Sequence, residues 1–180
     1  TPQVLPEAYE AYLRGRQAIG RVPASTAANE ALGHFERAAA LDPGLAGAWS
    51  GIAVAKLARD FFGTGNFADQ TLVEVRQSAM KALALDSRDG DAHGALGYLT
   101  LYRDWNFEAA RSMLERAVTL SPHSSMLRHA YGDYFLVTGR FDDSLEQVTL
   151  GRDFDPSAPL PEMVVIFHTI ATRRFDDVIA

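Results

Sequence analysis

Apolar residues along this chain recur at intervals of three and four. In Ala31-Leu32-Gly33-His34-Phe35-Glu36-Arg37-Ala38-Ala39-Ala40-Leu41 they form one stripe of a 3.6-residue helix. Ala110, Met113, Leu114, Ala117 and Leu120 form another between Ala109 and Leu120. No segment of length alternates apolar and polar positions as a half-buried strand does. The Asp-Pro pairs at 42–43 and 155–156 fall where helices and turns end, because proline cannot continue a helix. The pattern predicts an all-α chain of short helices joined by turns.

Two segments are near copies: Gly139-Arg140-Phe141-Asp142-Asp143 and Arg173-Arg174-Phe175-Asp176-Asp177. Their Phe-Asp-Asp cores lie 34 residues apart. A helix-turn-helix unit of that length cannot bury its apolar face alone and must stack on its neighbours. The spacing and the packing positions resemble the tetratricopeptide repeat (TPR). The resemblance implies a right-handed superhelix of antiparallel helix pairs, about four and a half repeats in a single domain over 1–180.

The repeats fall at approximately 6–44, 45–89, 90–124, 125–158 and a partial one at 159–180. The fourth fits without gaps, with Gly132 letting its helices approach, Phe135 packed, a turn at Gly139-Arg140 and Pro156 at the close. The third carries Leu96-Gly97, Ala110, Ala117 and Pro122, with one extra residue in the turn Arg103-Asp104-Trp105-Asn106. The second opens at Ala48-Trp49 and closes at Asp86-Ser87, with about ten extra residues around Phe61-Phe62-Gly63-Thr64-Gly65-Asn66-Phe67. The first has a clear second helix through Ala31, Phe35, Ala38 and Pro43. Its first helix, roughly Pro6 to Gly20, has no fixed register. The fifth stops at Ala180 inside its second helix, and the apolar Val178 and Ile179 there predict self-association or a mobile end. Ser87, standing for the closing proline, and Gly151, standing for a packing alanine, weaken individual repeats.

A net charge of -6 with scattered arginines argues against a nucleic-acid surface, which needs clustered cations. The absence of cysteine removes disulfides, thiolate metal sites and a thiol nucleophile. No apolar run approaches the roughly 20 residues of a membrane span. The chain starts at Thr1 without an initiator methionine or a signal peptide, as a processed chain or a fragment does.

Candidate chemistry is sparse. No two of His34, His93, His123, His129 and His168 share the i, i+4 spacing of a helical zinc pair, so no metal ligand set is expected. The acid pairs Asp142-Asp143 and Asp176-Asp177 suit helix N-termini, where they favour the dipole and the orphan N–H groups. Gly63-Thr64-Gly65-Asn66 lacks the Lys-Ser/Thr of a phosphate loop. Its flanking phenylalanines (61, 62 and 67) are expected to fold back on the stack. Trp49 is expected in the core, and Trp105 in the core or at the rim. No nucleophile-elbow motif occurs. Neither catalysis nor a cofactor is expected.

In TPR stacks the first helix of each repeat lines a concave groove. That register assigns Tyr98, Leu101 and Tyr102, then His129, Asp133 and Leu136, then Met163 and Phe167 to the inner face. The result is an apolar, aromatic groove suited to a protein or peptide partner. The positions of the carboxylate clamp found in chaperone-binding TPR domains hold Ser50, Gly94 and His129, so that function is not expected.

A narrower resemblance rests on Glu7-Ala8-Tyr9-Glu10-Ala11-Tyr12-Leu13-Arg14-Gly15-Arg16, His34 to Pro43, Ala48-Trp49-Ser50-Gly51-Ile52-Ala53, Ala92-His93-Gly94-Ala95-Leu96-Gly97 and Asp104-Trp105-Asn106-Phe107. In that order they are similar to the C-terminal TPR region of CadC-like bacterial transcriptional regulators. The same module occurs in some adenylate cyclases and Ser/Thr kinases. The resemblance implies a non-catalytic interaction or signal-sensing module. A stand-alone adaptor in secretion or envelope assembly, or an accessory domain of a signalling enzyme, are the alternatives.

Overall fold

The computed structural model describes residues 5–19, 21, 24–63, 65, 67–154 and 159–171, with the side chains of 24 and 159–164 left aside. Nine helices and no strand occur among them. They are α1 (Pro6–Ala18), α2 (Ala24–Leu41), α3 (Ala46–Gly63), α4 (Asp69–Leu85), α5 (Gly90–Tyr102), α6 (Phe107–Leu120), α7 (Ser125–Val137), α8 (Phe141–Phe154) and α9 (Pro159–Ala171). The second Phe-Asp-Asp copy, Pro156, Val178 and Ile179 lie outside the described residues.

Local chemistry sets the helix starts. Pro6 opens α1 with its fixed φ, and Glu7 sits in the first turn. Asp89 caps α5 by accepting from Ala92 N–H at 2.8 Å. Asn106 caps α6 by accepting from Ala109 N–H at 3.1 Å, and Ser124 caps α7 through Leu127 N–H at 3.4 Å. Asp142 and Asp143 occupy the first turn of α8, and Arg140 Nε donates to Asp143 at 2.7 Å. The turns before α6 and α8 both use a left-handed residue, Trp105 at φ 53° and Gly139 at φ 75°. The carbonyl that closes the first turn lies six residues back from its donor, against five in the second (Asn106 N–H to Thr100, Arg140 N–H to Phe135). Trp105 is therefore the rim residue of a longer turn, 64% exposed.

Each odd-numbered helix packs against the next odd-numbered one. Among the described residues no even-numbered helix reaches the next even-numbered one. Helices that approach on one side only bend a stack toward that side, so the odd helices form the concave face.

The core is a chain of three clusters rich in alanine. In the first, Phe35 of α2 is 1% exposed between Gly15 of α1 and Gly51 of α3. A Cβ at Gly15 would lie 2.6 Å from the Phe35 ring, and one at Gly51 would lie 2.5 Å from it. The ring thus fixes the register of α1 that its sequence leaves open, burying Ala8, Ala11, Gly15 and Ala18. Gly132 allows the expected close approach, since a Cβ there would meet Val148 at 2.7 Å. Gly151 has a use of its own: an added Cβ would stand 3.2 Å from the Ser125 carbonyl and from Arg128 Cβ.

Two expectations are corrected. Trp49 is half-buried, bridging the Phe35 cluster and the cluster of Ala53, Val75, Leu96 and Leu99. Its Nε1–H reaches the Pro43 carbonyl at 3.0 Å, and Lys81 Nζ sits 3.6 Å over its ring. The long second pair takes up its extra residues as helix, with 18 residues in α3 and 17 in α4 against 13 in α5 and 14 in α6. Phe61 and Phe62 end α3 exposed, edge to face, instead of folding back; only Phe67 does so, against Tyr98.

The packing around Phe35 makes a paired prediction. Gly51→Ala forces a methyl into the ring and should destabilise by about 1–3 kcal/mol. Gly33→Ala, in α2 with nothing within 4 Å of the added Cβ, should stabilise by about 0.5–1 kcal/mol through lost backbone entropy. Urea unfolding of both variants gives the signs directly; equal signs contradict the arrangement.

Candidate functional site

The middle of the concave face is aromatic. Tyr98 and Tyr102 lie one turn apart on α5 with ring centroids 4.7 Å apart, and Phe67 stands edge-on to Tyr98 at 6.1 Å. Leu57, Phe67, Leu72, Tyr98, Leu99, Tyr102 and Arg103 line a pocket of about 160 Å³. Arg103 in its lining is held by Asp69, to which it donates at 2.9 Å; Arg76 of α4 reaches both oxygens of Asp104, just past α5, at 2.9 and 2.8 Å.

Beside the tyrosines is a polar cluster. Asp133 of α7 is 4% exposed and His168 of α9 fully buried. Asp133 Oδ1 lies 2.9 Å from His168 Nε2 and 3.5 Å from His129 Nε2. Ser144 Oγ of α8 is 2.7 Å from His168 Nδ1. Burial alone would hold Asp133 neutral, but the neighbouring His129 and His168 imidazoles outweigh it and draw the carboxyl well below its usual range. Burial likewise disfavours a charged His129, yet the Asp133 carboxylate wins and moves the imidazole up. Burial pushes the Tyr98 and Tyr102 phenols up, and Asp133 pushes both further.

Of the residues expected in the groove, Tyr98, Tyr102, His129 and Asp133 come together. Leu136 is half-buried farther along α7, and Phe167 of α9 is 58% exposed. Met163 lies outside the described side chains. Leu101 is 1% exposed and packs with Ala110, Leu114, Tyr134 and Phe135. It stands a helical step away from the Tyr98–Tyr102 stripe and faces α6 and α7, not the groove. His168, Ser144 and the Phe67 pocket were not anticipated. His129 and Asp133 do carry an i, i+4 signal, but of mixed type, and His168 joins them only through the packing of α9 on α7.

Ser144, His168 and Asp133 lie in a row as hydroxyl, imidazole and carboxylate. The Ser144 side chain is fully buried inside the stack, so no substrate carbonyl reaches its oxygen. The arrangement is suited to holding a charge, not to attacking a bond.

Solved structures share this architecture. A thermophilic TPR protein of Thermus thermophilus superposes with a TM-score of 0.63 at 18% identity, over 92% of this chain and 81% of that one. The fold is the tetratricopeptide-repeat solenoid. PilF of Pseudomonas aeruginosa gives 0.56 at 19% identity, over 95% of this chain and 76% of that one. MamA of Desulfovibrio magneticus RS-1 gives 0.52 at 15% identity, over 98% and 96%. No protein-family profile matches the chain, and no curated protein matches its sequence. At these identities the likeness extends to the TPR fold alone.

The two opposite shifts define a pH window of stability. Asp133, with its folded pKa lowered, contributes stability above its ordinary 3.8 that is lost as pH falls toward the folded value. His129, with its folded pKa raised, contributes stability below its ordinary 6.5 that is lost as pH rises through the folded value. The Asp133–His129 contribution is therefore fullest between about pH 4 and 6.5. Asp133→Asn should flatten both flanks of a plot of Tm against pH. An unchanged profile would contradict the coupling.

Proposed function

We propose that this TPR solenoid is a protein-interaction module whose concave face, between α5 and α9, docks a segment of a partner protein. The observation that carries the reading is the aromatic pocket of Phe67, Tyr98 and Tyr102. Large amphipathic aromatics around a concave pocket are the side chains that dominate recognition energy. A cavity of about 150 Å³ accepts a benzene-sized group, so the pocket suits one aromatic or branched apolar anchor. Phe167 extends the apolar surface along α9.

In the finer reading, the module is the signal-sensing C-terminal part of a bacterial transcriptional regulator of the CadC-like type. It rests on the ordered motifs from Glu7-Ala8-Tyr9 to Asp104-Trp105-Asn106-Phe107. Several of these motifs have packing roles: Gly15 and Gly51 hold Phe35, Trp49 bridges two clusters and Trp105 shapes a turn. Partner binding in the groove would then be the sensed event.

A peptide-display selection against the purified chain tests the interaction reading. Enriched peptides should share an apolar anchor, and Tyr102→Ala with Phe167→Ala should weaken them at least about tenfold, which is about 1.4 kcal/mol. In a reporter strain the same double variant should alter transcriptional output. Peptides that bind the double variant equally well contradict the groove, and unchanged output with impaired peptide binding contradicts only the regulator.

A further inference from the structure

We propose that His129, Asp133 and His168 bind a divalent transition-metal ion of the zinc class, clasping α7 to α9. One nitrogen of each histidine and one carboxylate oxygen lie within 4.8 Å of one another. Two imidazoles and a carboxylate are a donor set for such ions, and the absence of thiolates favours borderline over soft metals.

The local geometry calls for a cation. His168 Nε2 is buried, 2.9 Å from Asp133 Oδ1, yet has no hydrogen-bond partner. Its in-plane direction therefore misses the oxygen. An ion about 2.1 Å from each atom sits off the line joining them, so a ring nitrogen aimed off that line can still meet it. Ser144 Oγ, 2.7 Å from Nδ1, can accept the Nδ1–H and leave the Nε2 lone pair free for metal. A histidine ligand held this way by its other nitrogen is the usual arrangement around bound metals.

Donor atoms on a tetrahedral zinc lie about 3.4 Å apart. The two histidine–aspartate separations, 3.5 and 2.9 Å, fall close to that spacing. The His129 side chain is 22% exposed, so it can rotate to close the remaining gap and gives the ion a path from solvent. The site adjoins the Phe67 pocket through Tyr102, which neighbours Asp133, and its metal binding does not require a protein partner.

The test uses chelator-stripped protein titrated with Zn²⁺ alone by calorimetry and with Co²⁺ by visible absorption. One ion per chain should bind in the micromolar range or tighter, with cobalt ligand-field bands and a higher Tm. His129→Ala and His168→Gln should each weaken binding at least tenfold, and Ser144→Ala about tenfold. His34→Ala and His123→Ala should leave it unchanged. Circular dichroism identifies any variant that fails to fold. His129→Ala, with a partly exposed ring, decides the matter if His168→Gln does. Absence of saturable binding, or equal affinity in His129→Ala, overturns the site.

Discussion

Everything in this solenoid depends on how closely its helices can approach. Phe35 shows the constraint most plainly: a buried ring held between two glycines on different helices. Small residues on one surface and one large side chain on the other let three helices share a wedge. The pattern recurs where Leu114 meets Gly97 and Val148 meets Gly132. Such contacts are short-range, so a single methyl is felt. Because odd helices touch odd helices while the described even ones do not touch each other, this spacing also curves the stack. The concave face follows from the packing.

What lies on that face divides into two kinds of surface. Phe67, Tyr98 and Tyr102 enclose an apolar pocket whose lining Arg103 is paired with Asp69. Exposed pairs of that sort contribute little stability, and their value is positional. Next to the pocket, Asp133 and His168 place ionisable groups where water is scarce. A buried carboxylate is costly unless matched. Here two imidazoles meet the Asp133 carboxylate, and that match is the source of the shifted ionisation equilibria of Asp133 and His129.

The sequence made the architecture readable because a helical repeat encodes itself locally. Three-and-four periodicity and the Asp42-Pro43 stop each report on neighbouring residues. The register of α1 was hidden, since Phe35 sets it from another helix. Leu101 was misplaced because repeat register alone does not separate the groove stripe from the adjacent core position. Trp49 was misjudged because a ring can bridge two clusters and still keep one face under Lys81. Tyr98, Tyr102, His129 and Asp133 could be assigned to one face from their spacing. His168 could not, because it stands 35 residues beyond Asp133, one residue off the repeat. Only the packing of α9 brings it in. The pocket was hidden too, because Phe67 belongs to the irregular link before α4.

The central claim is that the odd-helix face is the working surface. Position-specific photocrosslinking in cells tests it most directly. A crosslinking side chain would replace Tyr102 on the concave face or Arg116, exposed on α6. The account predicts a discrete protein adduct from position 102 and none from position 116. An adduct from 116 with none from 102 would place the working surface on the outer helices and contradict it.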